Sequence, residues 1–185
     1  MKLRGLLLTC LLLASNGLAA DPLENPEFSC ISDMTPVRGF YIDNLLGDLE
    51  ATKAVAESEN GGVYPPGSVV QLVPTEVMVK REEGHSPETN DWEFFELNVS
   101  AEGSEISTRG FSDVVNRFGG NCLDCHEKAE PQWDMVCEQN HGCDPIPLTE
   151  LMVRAIQKTD PRCEPVPLSD EEKAALQALS GGAGE

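Results

Sequence analysis

Positive charge is scarce in this chain. Its 185 residues include 13 lysines and arginines against 32 aspartates and glutamates, which gives a formal net charge of −19 at pH 7. So acidic a surface repels the phosphates of nucleic acids and of anionic lipids, which argues against both as partners. A basic redox partner or a cationic substrate suits this charge. The alternative is a solvated acidic surface adapted to a salty environment.

The chain also lacks a hydrophobic run long enough to cross a bilayer. The apolar run at residues 6–13 is too short to do so; it follows Lys2 and Arg4 and leads into small residues through Ala20. This pattern is typical of an export signal, so residues 1–20 are predicted to be removed and the protein to be periplasmic. Loss of the two basic residues brings the net charge from −19 to about −21. About 165 residues remain, the size of one domain.

One short motif stands out among the residues that are present. It is Cys122-Leu123-Asp124-Cys125-His126. Two cysteines separated by two residues and followed by histidine form the attachment signature of c-type haem. The thiols add to the two vinyl groups of one haem, and the adjacent imidazole becomes the proximal ligand of the iron. The sequence therefore predicts one covalent haem c with His126 as its proximal ligand.

Zinc is the alternative occupant of this motif. Cys122 and Cys125, together with Cys137 and either His141 or Cys143, would supply four ligands at tolerable spacing. A structural zinc is less natural in an exported protein, and it leaves the histidine of the motif unexplained.

The remaining cysteines predict two disulfides. Cys10 leaves with the signal, and haem takes two of the six that remain, so an even number is left in an oxidising compartment. Three pairings are possible. The favoured one joins Cys137 to Cys143 across a tight loop and Cys30 to Cys163 across the two ends of the domain.

Hydrophobic periodicity predicts an α+β domain at residues 21–179, with an antiparallel sheet packed against helices, and a disordered tail at 180–185. Residues 21–38 are expected to form an extended lead-in. The predicted strands are Ser68–Val73, Glu76–Lys80 and Trp92–Val99. The predicted helices are Asp43–Glu57, Ser112–Phe118, Leu148–Lys158 and a final helix opened by a capping box at Ser169–Glu172. Small electron-transfer cytochromes c are nearly all helical, whereas here the haem motif follows a β-rich region.

Several segments occur in the order typical of one family. They are Tyr64-Pro65-Pro66-Gly67-Ser68-Val69-Val70, Val77-Met78-Val79-Lys80, Trp92-Glu93-Phe94-Phe95, the haem motif, and Asp134-Met135-Val136. Over residues 40–137 the chain resembles the cytochrome P460 family, which includes the β-type cytochromes c′. The resemblance implies haem held against an antiparallel sheet. It also implies an iron that is five-coordinate or weakly six-coordinate.

Cytochrome P460 itself oxidises hydroxylamine and carries a lysine cross-linked to the porphyrin. The matching strand of this chain reads Val70-Gln71-Leu72, and no lysine lies between Ser68 and Glu76. The resemblance therefore favours the β-type cytochromes c′, which bind NO and CO.

Residues of the predicted strands supply further site candidates. Phe94 and Phe95 are expected on opposite faces of their strand, and one or the other would line an apolar distal face that admits neutral diatomic gases. Lys80 would pair with a haem propionate or, as the alternative in so acidic a chain, with a carboxylate on the protein surface. If Glu93 or Glu96 faced the iron, it would act as an acid–base group in peroxide or hydroxylamine chemistry. The alternative for both glutamates is a solvent-facing strand position.

The sixth position of the iron has several candidate ligands. Met135 follows the motif by a short loop and is the distal candidate, with Met78 and His141 as others. Met78 is expected in the core. His141 and His85 are expected to be exposed.

The sequence thus predicts an exported monohaem c-type cytochrome of P460-like type. It would bind or redox-process NO, CO or another nitrogen oxide at an open or weakly ligated iron. One alternative is a periplasmic electron-transfer cytochrome c with a Met or His sixth ligand, docked to a basic partner. The other is a hydroxylamine or peroxide oxidoreductase, so the sequence leaves open whether the protein is an enzyme. A second copy of the chain, in a homodimer, is a further candidate partner.

Overall fold

Six antiparallel strands form one sheet in which neighbours in sequence are also neighbours in space. The computed structural model describes residues 21–116, 119–138 and 140–181; the predicted export signal lies outside them. The strands are β1 (Thr35–Val37), β2 (Phe40–Asn44), β3 (Ser68–Val73), β4 (Glu76–Lys80), β5 (Trp92–Ser100) and β6 (Gly103–Gly110). The helices are α1 (Leu49–Ala56), α2 (Cys122–His126), α3 (Glu150–Lys158) and α4 (Asp170–Gly181). The predicted α+β class with an antiparallel sheet is confirmed.

The two faces of the sheet carry separate apolar clusters. Met78, Trp92 and Phe94 belong to the cluster on one face, called here the front face, and Val79 and Phe95 belong to the cluster on the back face. Successive side chains of a strand point to opposite faces, so this separation follows from the alternating sequence of β4 and β5. Phe94 and Phe95 lie on opposite faces of β5, as predicted.

Different segments cover the two faces. Ala56 of α1 and Leu123 of α2 join the front cluster, so these helices pack on that face. Leu23 and Phe28 cover the back face, and the Phe28 ring contacts that of Phe95 at 5.4 Å between centroids. The lead-in predicted at 21–38 therefore contributes core residues.

The helix predicted at Asp43–Glu57 is shorter than expected, because its first part belongs to β2. Asn44 pairs with Ser68 of β3, and Gly47 then adopts a left-handed φ of 86° that no helix can contain. The helix begins after Asp48, whose side chain accepts a hydrogen bond of 3.3 Å from the backbone N–H of Ala51.

Near the sheet edge the structure contains a strand that the sequence did not indicate and lacks a predicted helix. Strand β6 was not predicted, because its mostly polar side chains and terminal glycines lack the apolar alternation of a half-buried strand. The helix predicted at Ser112–Phe118 is not formed over its described part, residues 112–116. There Val115 makes an isolated antiparallel bridge with Asn121 instead.

Both predicted disulfides are present. Cys30 is joined to Cys163, which ties the segment before β1 to the segment after α3, and Cys137 is joined to Cys143. Gln157 of α3 also donates hydrogen bonds to the carbonyl oxygens of Gly39 and Leu72. The C-terminal helices are therefore bound to the sheet by covalent and polar links.

The predicted capping box opens α4. The Ser169 backbone N–H donates to Glu172 at 2.8 Å, and the Glu172 backbone N–H donates to the Ser169 hydroxyl at 3.2 Å. The helix continues through Ser180 and Gly181, which were predicted to be in the tail; residues 182–185 lie outside the described ranges. Within those ranges, no helix has both the length and the apolar character that a membrane span requires.

Candidate functional site

Helix α2 presents both cysteines of the motif on a single turn. Asn121 caps this helix by accepting a hydrogen bond of 3.2 Å from the backbone N–H of Asp124. Residues three apart on a helix are neighbours on its surface, so Cys122 and Cys125 lie side by side. Both are unpaired and partly exposed, whereas Cys30, Cys137, Cys143 and Cys163 are all in disulfides. The motif thus keeps two thiols available for bonding to another group.

His126 is held in one orientation by the backbone. Its Nδ1–H donates to the carbonyl oxygen of Met135 at 2.7 Å, and its ring lies 5.3 Å from that of Phe94 between centroids. Burial lowers the pKa of His126 and so favours the neutral imidazole. A neutral ring that donates through Nδ1 leaves the Nε2 lone pair free to bind a metal.

The turn that supplies this carbonyl is strained and heavily anchored. Asp134 and Met135 adopt left-handed φ angles of 48° and 65°. The Asp134 carboxylate accepts hydrogen bonds from Lys80 Nζ at 2.7 and 2.9 Å and from the Tyr64 backbone N–H at 2.9 Å. The Asp134 carbonyl accepts the indole N–H of Trp92 at 2.7 Å. Burial raises the pKa of the Asp134 carboxyl, although the Lys80 ammonium opposes this rise.

Lys80 is therefore engaged inside the protein. Its ammonium is buried and divides its donors between Asp134 and the carbonyl oxygen of Asn90, at 2.6 Å from the latter. Arg81 is likewise buried, in an ion pair with Glu93. The charge of Lys80 is therefore paired with a carboxylate inside the protein, and its role in propionate binding stays a prediction.

Two of the strand candidates lie on the back face, away from His126. Glu93 is buried between Arg81 at 2.8 Å and Arg109 at 2.6 Å. Phe95 packs in the back cluster, with the guanidinium of Arg109 4.9 Å from its ring centroid. Phe94, on the front face, packs beside the imidazole of His126. The structure therefore brings only Phe94 to the motif histidine among these three.

Glu96 lies on the front face, near Cys122. It pairs across the sheet with Glu76, which the sequence reasoning did not select, and the two carboxylates act together on the thiol. Burial, reinforced by Glu76 and Glu96, raises the pKa of Cys122 to about 12. A thiol that stays protonated at neutral pH is a poorer nucleophile than a thiolate.

This environment predicts slow alkylation of Cys122. In protein without haem, we expect the rate at which iodoacetamide alkylates Cys122 to increase with pH, with a midpoint near pH 12. An ordinary thiol has its midpoint at about pH 8.5. Peptide mapping by mass spectrometry across a pH series measures the midpoint. In the Glu96→Gln variant the Cys122 thiol should titrate at lower pH, because one of the two carboxylates that repel its thiolate is gone. An ordinary midpoint in the wild type would contradict this electrostatic account.

The turn formed by Asp134 and Met135 also places the Met135 backbone. Its carbonyl oxygen lies on the Nδ1 side of His126, so its backbone is on the side of the imidazole away from Nε2. The distal role of Met135 stays a prediction. Met78 is buried in the front cluster, as expected.

His141 was expected to be exposed, and this is wrong. Its ring stacks on Trp133 with 3.8 Å between centroids, and its Nδ1 is 2.8 Å from the carbonyl oxygen of Val136. The Cys137–Cys143 disulfide folds the loop inwards and so buries the ring. His85 is exposed, as expected, and contacts Phe111.

The four-ligand zinc site is not formed. The sulfurs of Cys137 and Cys143 are bonded to each other and cannot join Cys122 and Cys125 as ligands. In the part of the chain that the structure describes, no three side chains of histidine, cysteine, aspartate or glutamate are grouped to hold a metal ion.

The motif lies at a partly open surface. Two pockets with room for little more than one water molecule are each lined by residues other than those of α2. Cys122, Cys125 and His126 are all partly exposed. Two adjacent thiols and an oriented imidazole fit a covalently attached haem, which would lie against this surface.

A comparison of the chain with protein-family models, curated proteins and solved structures finds no match. The resemblance to the cytochrome P460 family therefore rests on the residues quoted above and stays a prediction.

Proposed function

We propose that this chain is an exported monohaem c-type cytochrome of P460-like type. Haem is attached through Cys122 and Cys125, and His126 is its proximal ligand. The observation that carries the proposal is the arrangement on α2: two unpaired thiols on one helical turn, followed by an imidazole whose Nδ1 is fixed on a backbone carbonyl. The two disulfides agree with an oxidising, periplasmic location.

Each residue of the site has a distinct role in this proposal. When bound, haem supplies a redox-active iron with a sixth position for a ligand. The thiols fix the position of the group. The Met135 carbonyl selects the tautomer of His126 that presents Nε2, and Phe94 limits rotation of the ring by packing beside it.

We further propose that the iron is open or weakly ligated and binds NO, CO or another small nitrogen oxide. Each candidate sixth ligand named from the sequence is packed or hydrogen-bonded within the protein. Met78 lies in the front cluster, the Met135 backbone is hydrogen-bonded to His126, and His141 is stacked on Trp133. An electron carrier would need one of them, or another side chain, to move to the iron.

An oxidoreductase acting on hydroxylamine or peroxide is the second candidate. Glu96 favours it, because this carboxylate is on the front face and interacts with the Cys122 thiol. A carboxylate near a bound substrate would act as a proton donor or acceptor. Turnover that is present in the wild type and lost in Glu96→Gln, with unchanged haem content, would support this reading.

Haem attachment tests the main proposal. In cells that can mature c-type cytochromes, the wild type should gain the mass of one haem that acid–acetone extraction does not remove. Cys122→Ser and Cys125→Ser should each lose one thioether, and the variant with both changes should retain no covalent haem.

The other cysteine pair provides the matched control. The Cys137→Ser/Cys143→Ser variant also removes two cysteines close to the site, and it should keep covalent haem because these sulfurs only bond each other. A wild type without covalent haem, or haem attachment that survives loss of both motif cysteines, would contradict the proposal.

A further inference from the structure

We infer that the buried Lys80–Asp134 ion pair positions the proximal histidine, and thereby sets the strength of its bond to iron. This inference rests on the proposed haem function. Lys80 and Asp134 do not touch the imidazole; they act through the carbonyl oxygen of Met135, which is the acceptor for His126 Nδ1.

The first step is the way in which Asp134 is held. Its carboxylate is bound by the Lys80 ammonium and by the backbone N–H of Tyr64, and its carbonyl by the indole of Trp92. The Lys80 and Asp134 side chains are only 6% and 4% exposed. Donors from three separate segments therefore converge on one residue, which fixes it relative to the front face of the sheet.

The second step is the backbone next to it. Asp134 and Met135 are consecutive non-glycine residues with left-handed φ angles, a conformation that costs energy and persists only when the surroundings impose it. If the restraints on Asp134 were released, rotation towards commoner φ angles would turn the Met135 carbonyl away from its present direction. The ion pair thus maintains the direction of this carbonyl.

The third step links the carbonyl to the iron. A hydrogen bond from the distant ring nitrogen of a metal-bound histidine orients the ring and makes it a stronger donor to the metal. At 2.7 Å, the bond between His126 and Met135 is well formed. A displaced carbonyl would weaken it, which lowers the electron donation from Nε2 and leaves the ring free to adopt several orientations.

Resonance Raman spectra of the ferrous haem-loaded protein test this inference. We expect Asp134→Asn to move the iron–histidine stretching band to lower frequency and to broaden it. Because asparagine tolerates left-handed φ angles, this variant removes the ion pair without opposing the turn. Trp92→Phe, which removes the donor to the Asp134 carbonyl, should shift the band in the same direction.

Asp160→Asn is the matched control. Asp160 is also a buried carboxylate in an ion pair, with Arg162 at 2.6 Å, and it also accepts a backbone N–H, that of Ile31 at 3.0 Å. This variant should lose stability and leave the iron–histidine band unchanged. A purely structural role of Asp134 would give the two aspartate variants the same spectrum.

If Asp134→Asn does not fold, the Lys80→Met/Asp134→Asn variant takes its place, since it leaves no unpaired charge in the interior. A band at the wild-type position in these variants and in Trp92→Phe would overturn the inference and leave the proposed function intact. Absence of covalent haem from the wild type would overturn both.

Discussion

Removal of the Cys30–Cys163 disulfide is expected to lower the free energy of unfolding by about 5 kcal/mol. The cross-link closes a long loop and so lowers the chain entropy of the unfolded state, and this is its free-energy equivalent. The two cysteines are 133 residues apart, and their bond joins the segment before β1 to the end of the α3 region. Urea denaturation of Cys30→Ala/Cys163→Ala without reductant measures the loss.

The second disulfide supplies the comparison. Cys137 and Cys143 are six residues apart, so the same relation gives only about 2 kcal/mol for Cys137→Ala/Cys143→Ala. Equal losses in the two double variants would contradict the loop-length account. The shorter disulfide should have a local effect in addition: without it, the loop that buries His141 against Trp133 is expected to open.

Replacement of Lys80 by methionine should destabilise the protein by about 3–5 kcal/mol, the usual cost of leaving one partner of a buried ion pair unpaired. Methionine has nearly the length of lysine and leaves the Asp134 carboxylate without its ammonium partner. Chemical denaturation at neutral pH measures the loss. The Lys80→Met/Asp134→Asn variant should recover much of it, because asparagine keeps an acceptor for the Tyr64 N–H and carries no charge.

The loss in Lys80→Met should also depend on pH. Burial raises the folded-state pKa of Asp134, so the folded protein holds a proton here more readily than the unfolded chain. Such a group stabilises the fold below its ordinary pKa of 3.8, and this contribution fades as the pH rises through the folded pKa. Without the ammonium that opposes the shift, the deficit relative to wild type should shrink as the pH falls from neutral towards 3.8. A deficit that grows on acidification would contradict this assignment.

The central strands could be predicted because their signals lie within short stretches of sequence. The disulfides could be predicted from the number and spacing of the cysteines. The bounds of β3 and β4 follow from short β-branched runs interrupted by Pro74. For the disulfides, the short spacing of Cys137 and Cys143 leaves Cys30 and Cys163 as partners once haem is assigned to the motif.

The contacts around the turn formed by Asp134 and Met135 could not be predicted in the same way. Lys80 meets a carboxylate 54 residues further along the chain, and only the tertiary fold brings the two together. The left-handed φ angles of Asp134 and Met135 could not be predicted from the sequence either. Glycine is the usual marker of such angles, and neither residue is glycine. Alternation on β5 did contain a usable signal: it placed Phe95 on the face opposite Phe94, so the two were not expected to line one side of a haem.

The optical spectrum of the purified ferrous protein, recorded before and after addition of CO, tests the central claim most directly. The proposal predicts absorption from covalently bound haem, high-spin bands before CO, and a shift to the spectrum of a CO complex afterwards. Sharp low-spin bands that CO leaves unchanged would contradict an open iron and favour electron transfer. A colourless protein would contradict the assignment of Cys122, Cys125 and His126 to haem altogether.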